Sequence, residues 1–503
     1  MRIVIDLQGA QGVSRFRGIG RYSLEFALSL VRNRGENQIF IALNSHFPGG
    51  IEDIRAAFRG VLSRDEIRVW SAPGPLAWYE AANEQRRLDA ELIREAFLAS
   101  LEPDAVVVTS LFEGLGEDIA TSIGRLAAVP TAVVLYDLIP LLNENVYLTD
   151  NVVRAWYHEK IGHLRRADQL LTISQSAARE AVTALGWDQW RVTNISSAAG
   201  TQFRRIDLSI EDRVHIARKY SLSRDYLMYT GGIDPRKNID GLIRAFARLP
   251  KSVREVHQLA IVCKVSEHDR RRLTTLAASV GLSDFSIIMT DFVPDDDLLL
   301  LYNGCKAFVF PSLHEGFGLP VLEAMRCGRA VIASNTSSLP EVIGRSDAMF
   351  DPHDEADITA KIERLLTDDA YRTRLEVHGL SQAQKFNWDA TAIRAIRALE
   401  TAFETRKQPL RDVARSRQRL AFVSPLPPER SGVADYNAAL LPVLANHYEI
   451  DVIVDQACVF SPWIVENLSI RSIDWFRHNA GKFDRILYHF GNSPLHMHMF
   501  ELL

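Results

Sequence analysis

The sequence predicts an α/β protein of Rossmann-like parallel sheets, and three observations carry that expectation. Short β-branched runs alternate with amphipathic helical stretches, the pattern of βαβ units. The alternation falls into two series that part near residue 200, and a shorter third series begins after residue 418. With 503 residues, the chain has room for about three domains of roughly 100–200 residues each.

The first series places strands at Arg2–Leu7, Gln38–Leu43, Ala105–Thr109, Thr131–Leu135 and Gln169–Ile173. The second places them at Tyr226–Thr230, Gln258–Val262, Phe285–Met289, Lys306–Phe310 and Ala330–Ala333. Ser196-Ser197-Ala198-Ala199-Gly200, small and aperiodic, marks a hinge between them. Residues 1–200 and 201–405 are thus expected as two Rossmann-like halves facing one another across a cleft. The polar, basic stretch 406–418 reads as a linker, and 419–503 as a partial third Rossmann-like domain. Its first strand is Leu420-Ala421-Phe422-Val423-Ser424. Gly432-Val433-Ala434-Asp435-Tyr436 then opens a helical pattern, as Gly18-Ile19-Gly20-Arg21-Tyr22 does 414 residues earlier. A repeat of that period is a duplicated domain, not a solenoid. The third region is too short to complete a sheet like the first, so an open edge and an apolar face are expected there, an aggregation liability.

Composition narrows the function classes. Hydrophobic residues are 47% and charged residues 24%, near the globular average, which excludes a largely disordered or collagen-like chain. Lys plus Arg number 58 against 63 acidic residues, a formal charge of −5, which argues against a basic nucleic-acid-binding surface. No apolar run reaches 18 residues, so no bilayer span is expected. Met1-Arg2-Ile3-Val4-Ile5-Asp6 reads as a buried strand without signal-peptide features, so a cytoplasmic protein is expected. Cys263, Cys305, Cys327 and Cys458 lack C-x-x-C spacing, and neither a disulfide framework nor a zinc site is suggested.

In such sheets ligands bind beyond the carboxyl ends of the strands. Gly231-Gly232-Ile233-Asp234-Pro235-Arg236-Lys237-Asn238 lies between a strand and a helix. Glycines allow close backbone approach, and a helix amino terminus offers free N–H groups. Arg236 adds a planar fork and Lys237 a point charge, together suited to a pyrophosphate; an ordinary turn with solvated cations is the alternative. A second strand runs into Pro311-Ser312-Leu313-His314-Glu315-Gly316-Phe317-Gly318-Leu319-Pro320 and a helix containing Glu323. Two carboxylates beside a phosphate site make sense as acceptors for the hydroxyls of sugar and ribose.

The segment from Glu315 to Glu323 resembles the E-x7-E motif of retaining nucleotide-sugar glycosyltransferases of family 4. Those enzymes have the GT-B fold and include bacterial polysaccharide mannosyltransferases. The segment from Gly231 to Asn238 is similar to that family's donor-phosphate motif, and the resemblance covers about residues 1–405. It implies that Arg236 and Lys237 bind the donor diphosphate and neutralise the leaving group, with Gly231 and Gly232 in the same loop. It also implies that Glu315 contacts the donor sugar, that the amides around Gly316, Phe317, Gly318 and Leu319 lie near sugar and phosphate, and that Glu323 holds the ribose hydroxyls. Gly18 and Gly20 resemble the glycine loop that closes over the diphosphate.

Leu135-Tyr136-Asp137-Leu138-Ile139-Pro140 resembles the family's H-D-x-x-P loop beside the reacting carbon, with Tyr136 in place of the histidine. Asp137 is a catalytic candidate, for acceptor binding or loop orientation, with a turn- or helix-capping aspartate as the alternative. Thr172-Ile173-Ser174-Gln175-Ser176 resembles a T-x-S-x-S strand end whose hydroxyls are expected to cap the next helix. Tyr488-His489-Phe490-Gly491-Asn492 resembles a segment of the amino-terminal domain of some family members, in keeping with a duplication. His496 and His498 carry no metal-ligand spacing.

The function implied is transfer of a hexose from a nucleoside-diphosphate sugar to a glycan or lipid-linked glycan. Anomeric configuration would be retained, in O-antigen or capsule-type polysaccharide biosynthesis. Mannose from GDP-mannose is taken from the resemblance, and UDP sugars stay open. No D-x-D motif is placed for a divalent metal, and Asp295-Asp296-Asp297 is expected to cap a helix, so no metal and no further cofactor are implied. The stretch Val152–Arg166, with Arg154, Trp156, Tyr157, Lys160, Arg165 and Arg166, reads either as a solvated face or as a peripheral membrane contact. No protein partner is readable. A nucleotide-sugar epimerase and a non-catalytic glycan-binding or scaffold protein are the alternative classes.

Overall fold

The computed structural model describes every residue except 17, 127–128, 405–417, 493 and 503. The chain divides into two compact units, Met1–Thr405 and Arg406–Leu503. The linker expected at 406–418 lies outside the described residues up to 417, and Gln418 opens a strand.

Unit 1 holds two sheets. The first comprises β1 (Arg2–Asp6), β2 (Gln38–Asn44), β3 (Ile67–Trp70), β4 (Ala105–Val108), β5 (Thr131–Leu135), β6 (Gln169–Thr172) and β7 (Val192–Asn194). Their order is β3-β2-β1-β4-β5-β6-β7, parallel throughout. The second comprises β8 (Asp225–Thr230), β9 (His257–Val262), β10 (Ile287–Met289), β11 (Ala307–Phe310), β12 (Val331–Ser334) and β13 (Met349–Phe350). Its order is β10-β9-β8-β11-β12-β13, again parallel. Strands β4, β5, β6, β9, β11 and β12 are buried along their whole length. Helices on both faces of a parallel sheet require that, and it is why these segments read as unbroken apolar runs. Strand order reverses between β1 and β4 in the first sheet and between β8 and β11 in the second. The loops leaving those strands therefore diverge and leave room for a ligand.

The helix Trp388–Glu404 departs from the expected 201–405 division, because it packs on the first-sheet half. The ring of Trp388 lies 5.0 Å from that of Tyr22. Asn33 Nδ2 donates to Asp389 Oδ1 at 2.8 Å, and Arg394 Nη1 to the Ile195 carbonyl at 3.1 Å. Amphipathic periodicity shows that this helix buries one face, but not which half it buries it against.

Unit 2 contains β14 (Gln418–Val423), β15 (Tyr448–Val454), β16 (Ser469–Ser472) and β17 (Arg485–Tyr488) in the parallel order β16-β15-β14-β17. This is the order β3-β2-β1-β4 of the first sheet, and helix Gly432–Leu444 follows β14 as helix Gly18–Arg32 follows β1. Edge strand β17 leaves Ile486 and Leu487 exposed. Among the described residues no helix is long and apolar enough to cross a membrane.

Candidate functional site

The loop after β8 is shaped by its own side chains. Asp234 Oδ1 accepts from the Arg236 main-chain N–H at 3.0 Å, closing the short turn Pro235–Lys237, and also from the Tyr147 hydroxyl at 2.6 Å. Gly231 lies beside the Tyr229 ring, Gly232 is exposed, and the Gly232 carbonyl accepts from the Tyr229 hydroxyl at 2.9 Å. The Arg236 carbonyl accepts from Leu313 N–H at 2.7 Å, which ties this loop to the one leaving β11. Both loops of the second sheet's switch point are thereby held together.

Within that pair of loops, Glu315 bridges two cations. Lys237 Nζ donates to Glu315 Oε1 at 2.6 Å, and Arg236 Nη1 to Glu315 Oε2 at 3.0 Å. Burial works against the Glu315 carboxylate, but Lys237 and Arg236 outweigh it and hold its pKa below the ordinary range. Arg236 loses hydration by burial, yet Glu315 leaves it more firmly charged. The family resemblance implies a sugar contact for Glu315, and both its oxygens are engaged by the cations. Each carboxylate oxygen has two acceptor sites, so capacity for a further hydroxyl remains.

Ser338 Oγ donates at 2.9 Å to the Glu315 and Phe317 carbonyls, and Ser337 Oγ accepts from Glu315 N–H at 2.9 Å. Phe317 points its ring into the core, 5.6 Å from Phe386. Gly318 has φ 101°, a left-handed conformation that lets the chain enter helix Leu319–Arg326, of which Leu319 is the half-buried first residue. Among the described residues, the N–H groups of Gly316, Phe317 and Gly318 donate to no main-chain or side-chain acceptor. Such a helix entrance favours an anion.

Gly316 meets the other half of the unit. A Cβ there would lie 2.6 Å from the Tyr136 carbonyl oxygen and 3.1 Å from Asp137 Oδ2. Asp137 Oδ1 accepts from Ile139 N–H at 3.0 Å, so it does cap a turn, while its carboxyl also faces Arg236. Burial raises its pKa, and the Ile139 amide and Arg236 counteract only part of that. The Tyr136 hydroxyl donates instead to the Thr109 carbonyl at 3.1 Å and lies 3.2 Å from Ser23 Oγ, away from Asp137.

Arg236, Lys237, Glu315, Gly316 and Asp137 thus come together. Glu323 stands apart from them: its Oε2 accepts from the Tyr302 hydroxyl at 2.8 Å, and burial raises its pKa to about 7. Arg21 is the cation that faces it, and Arg21 itself bonds Asp295 Oδ1 at 3.1 Å, spanning the two halves. Gly18 and Gly20 occupy the first turn of helix Gly18–Arg32. Gly18 is exposed, whereas Gly20 packs on the backbone of Ser14 and Arg15, a steric reason for its lack of a side chain.

Three further expectations meet the structure differently. Asp295, Asp296 and Asp297 lie in the first turn of helix Asp295–Gly304 without a side-chain cap bond; Asp297 is taken by Lys219 at 2.5 Å and Tyr220 at 2.5 Å. Ser174 does cap its helix, accepting from Ala177 N–H at 3.0 Å. Helix Asn151–Leu164 turns Tyr157 and Lys160 inward, with Lys160 Nζ donating to the Thr121 carbonyl at 2.6 Å. A continuous basic and aromatic outer face is therefore not formed. Sequence reasoning passed over His314 and Glu180, joined at 2.8 Å between the halves, although His314 directly precedes Glu315.

Residues 216–381 match the family described as glycosyl transferases group 1. The serotype-specific mannosyltransferase WbdA of Escherichia coli is 43% identical over 412 residues, covering 80% of this chain and 49% of the relative. The O-antigen chain mannosyltransferase B of Escherichia coli is 35% identical over 248 residues, covering 49% of this chain and 64% of the relative. The chain thus spans about half the length of the WbdA relatives it matches. In fold it is similar to Anabaena HepE, solved with UDP and glucose, at TM-score 0.55 and 15% identity over 80% of this chain and all of that one. WaaG, a glycosyltransferase of lipopolysaccharide biosynthesis, gives TM-score 0.53 at 15% identity over 80% and 99%. The two-sheet architecture of unit 1, similar to these structures, is the GT-B fold, and within it residues 216–381 match the glycosyl transferases group 1 family.

Proposed function

We propose that unit 1 is a retaining mannosyltransferase that moves mannose from GDP-mannose to a hydroxyl of a growing surface glycan. The observation that carries this reading is the Arg236–Glu315–Lys237 bridge at the switch point of the second sheet, set opposite Asp137. The likeness to WbdA and to the O-antigen chain mannosyltransferase supports mannose and a polysaccharide product.

In the reaction the bond from the anomeric carbon to the diphosphate oxygen breaks and a bond to the acceptor oxygen forms. GDP leaves, and the acceptor's hydroxyl proton is released. Negative charge grows on the departing phosphate oxygen. Arg236, Lys237 and the amides at the entrance of helix Leu319–Arg326 would stabilise it, and one well-aimed donor of this kind is worth about 3–4 kcal/mol. Glu315 keeps the two cations fixed before donor arrives, so little reorganisation accompanies the charge. Glu323, a turn along the helix, would accept from the ribose hydroxyls. Protein cations at the diphosphate can take the place of a divalent metal, and the reading is of a metal-independent enzyme working by front-face departure and attack. Unit 2 is read as a partial copy of the amino-terminal transferase domain, supported by its strand order and by its helix after the first strand.

The test is to incubate the full chain with GDP-mannose and other sugar nucleotides, with and without α-mannosyl oligosaccharides, and to analyse products by NMR. GDP release that needs the acceptor, with an α-mannosyl product, is expected. Donor isomerised without acceptor would make the protein an epimerase, and binding without turnover would make it a glycan-binding module.

A further inference from the structure

The two halves of unit 1 are joined beside the bridge by a pair for which the proposed chemistry has no use. His314 Nε2 lies 2.8 Å from Glu180 Oε1, with both side chains largely buried. Glu180 rides on helix Gln175–Leu185 in the first-sheet half, and its other oxygen accepts from Leu138 N–H at 3.2 Å. Leu138 directly follows Asp137. On the opposite side, the His314 carbonyl accepts from Arg236 Nη1 at 2.9 Å, the same nitrogen that bonds Glu315. One continuous chain of contacts therefore runs from the Asp137 loop through Glu180 and His314 to Arg236. The helix carrying Glu180 is itself held from the second half, since Glu341 accepts from Gln175 N–H at 2.9 Å and Ser176 N–H at 3.2 Å.

Resting on the transferase reading above, we propose that Glu180 is a positioning residue whose two oxygens set the spacing between the loop bearing Asp137 and the loop bearing Arg236 and Glu315. Gly316 shows how little tolerance that spacing has, because its Cα face is already at the Tyr136 carbonyl. The clasp is strongest with an imidazolium on His314. The charged groups facing that ring are Glu180 and Asp137 from the first-sheet half and Arg236 from its own. The Glu180 hydrogen bond is the largest influence and, despite burial, places the imidazole pKa above its ordinary value. The charged pair is complete below the ordinary imidazole pKa and is lost as pH rises through the raised one.

The experiment uses the full chain with E180Q and H314Q. NMR titration of the His314 ring should show its pKa falling in E180Q. With GDP-mannose and a mannosyl acceptor, each substitution should lower kcat about 10–100-fold while donor KM stays within threefold. The decline of kcat with rising pH in the parent should disappear in H314Q. H314Q leaves the Glu180–Leu138 bond in place, so it serves even if E180Q folds poorly. A His314 pKa that falls in E180Q, in a protein that transfers nothing, would overturn the transferase reading alone. An active enzyme whose kcat ignores both substitutions and whose His314 pKa ignores E180Q would overturn the positioning role alone.

Discussion

Replacing Lys237 with methionine removes one charge from the bridge and keeps most of the side-chain volume. Lys237 Nζ stands 2.6 Å from Glu315 Oε1 and 5.3 Å from the centre of the Phe310 ring. Two effects are separable. In stability, stripping a buried charge of its partner costs about 3–5 kcal/mol. Here Arg236 keeps Glu315 Oε2 at 3.0 Å, so the loss expected at pH 7 is about 1–3 kcal/mol. Because the folded pKa of Glu315 is depressed, the bridge contributes fully above the ordinary carboxylate range. That contribution fades as pH falls through the folded value, so parent and K237M converge in acid. In catalysis, one donor fewer at the leaving phosphate is expected to lower kcat by about 10²–10³. Urea unfolding at pH 7 and pH 4, with initial rates at saturating GDP-mannose, reads both. A folded K237M enzyme with kcat within threefold of the parent would refute the reasoning.

The remaining predictions concern neighbouring groups. The folded pKa of Glu323, about 7, lies above its unfolded value near 4.5, so ionisation costs stability progressively between those pH values. E323Q is therefore expected to gain about 1–3 kcal/mol relative to the parent at pH 8 compared with pH 4 in thermal unfolding, while donor KM rises roughly tenfold. An unchanged pH profile would mean that Glu323 is not the buried acid described. G316A puts a methyl group at the Tyr136 carbonyl and should cut kcat about 100-fold with circular dichroism unchanged; full activity would show that the close approach is dispensable. Dialysis against EDTA should leave the transfer rate within twofold, and loss of activity restored by Mn²⁺ would contradict a metal-independent site.

The sheets' interiors were legible because strands covered on both faces must be apolar throughout, as Ala105–Val108 and Thr131–Leu135 are. The strands that escaped notice in unit 1, Ile67–Trp70, Val192–Asn194 and Met349–Phe350, are short and lie at sheet edges, where neither length nor alternation gives a signal. Arg236, Lys237 and Glu315 could be expected in one cleft because both loops leave the carboxyl ends of strands. Sequence spacing could not show that Glu315 would be enclosed by the two cations, nor that Glu323 would turn to Tyr302. Those outcomes depend on helix rotation and on residues far along the chain. Glu180 and His314 are 134 residues apart, and only the folded chain puts them in reach.

The proposed chemistry depends on Arg236 and Lys237 gripping a diphosphate, and calorimetric titration of GDP into the parent chain and R236Q/K237M/E315Q tests that most directly. The triple substitution removes the cations and the carboxylate together, so neither side of the bridge is left as an unpaired buried charge. Each charge-assisted bond lost is worth about 1.5–3 kcal/mol, which predicts GDP affinity at least about 100-fold weaker in a variant that still folds. GDP bound equally well by that folded variant would contradict the assignment.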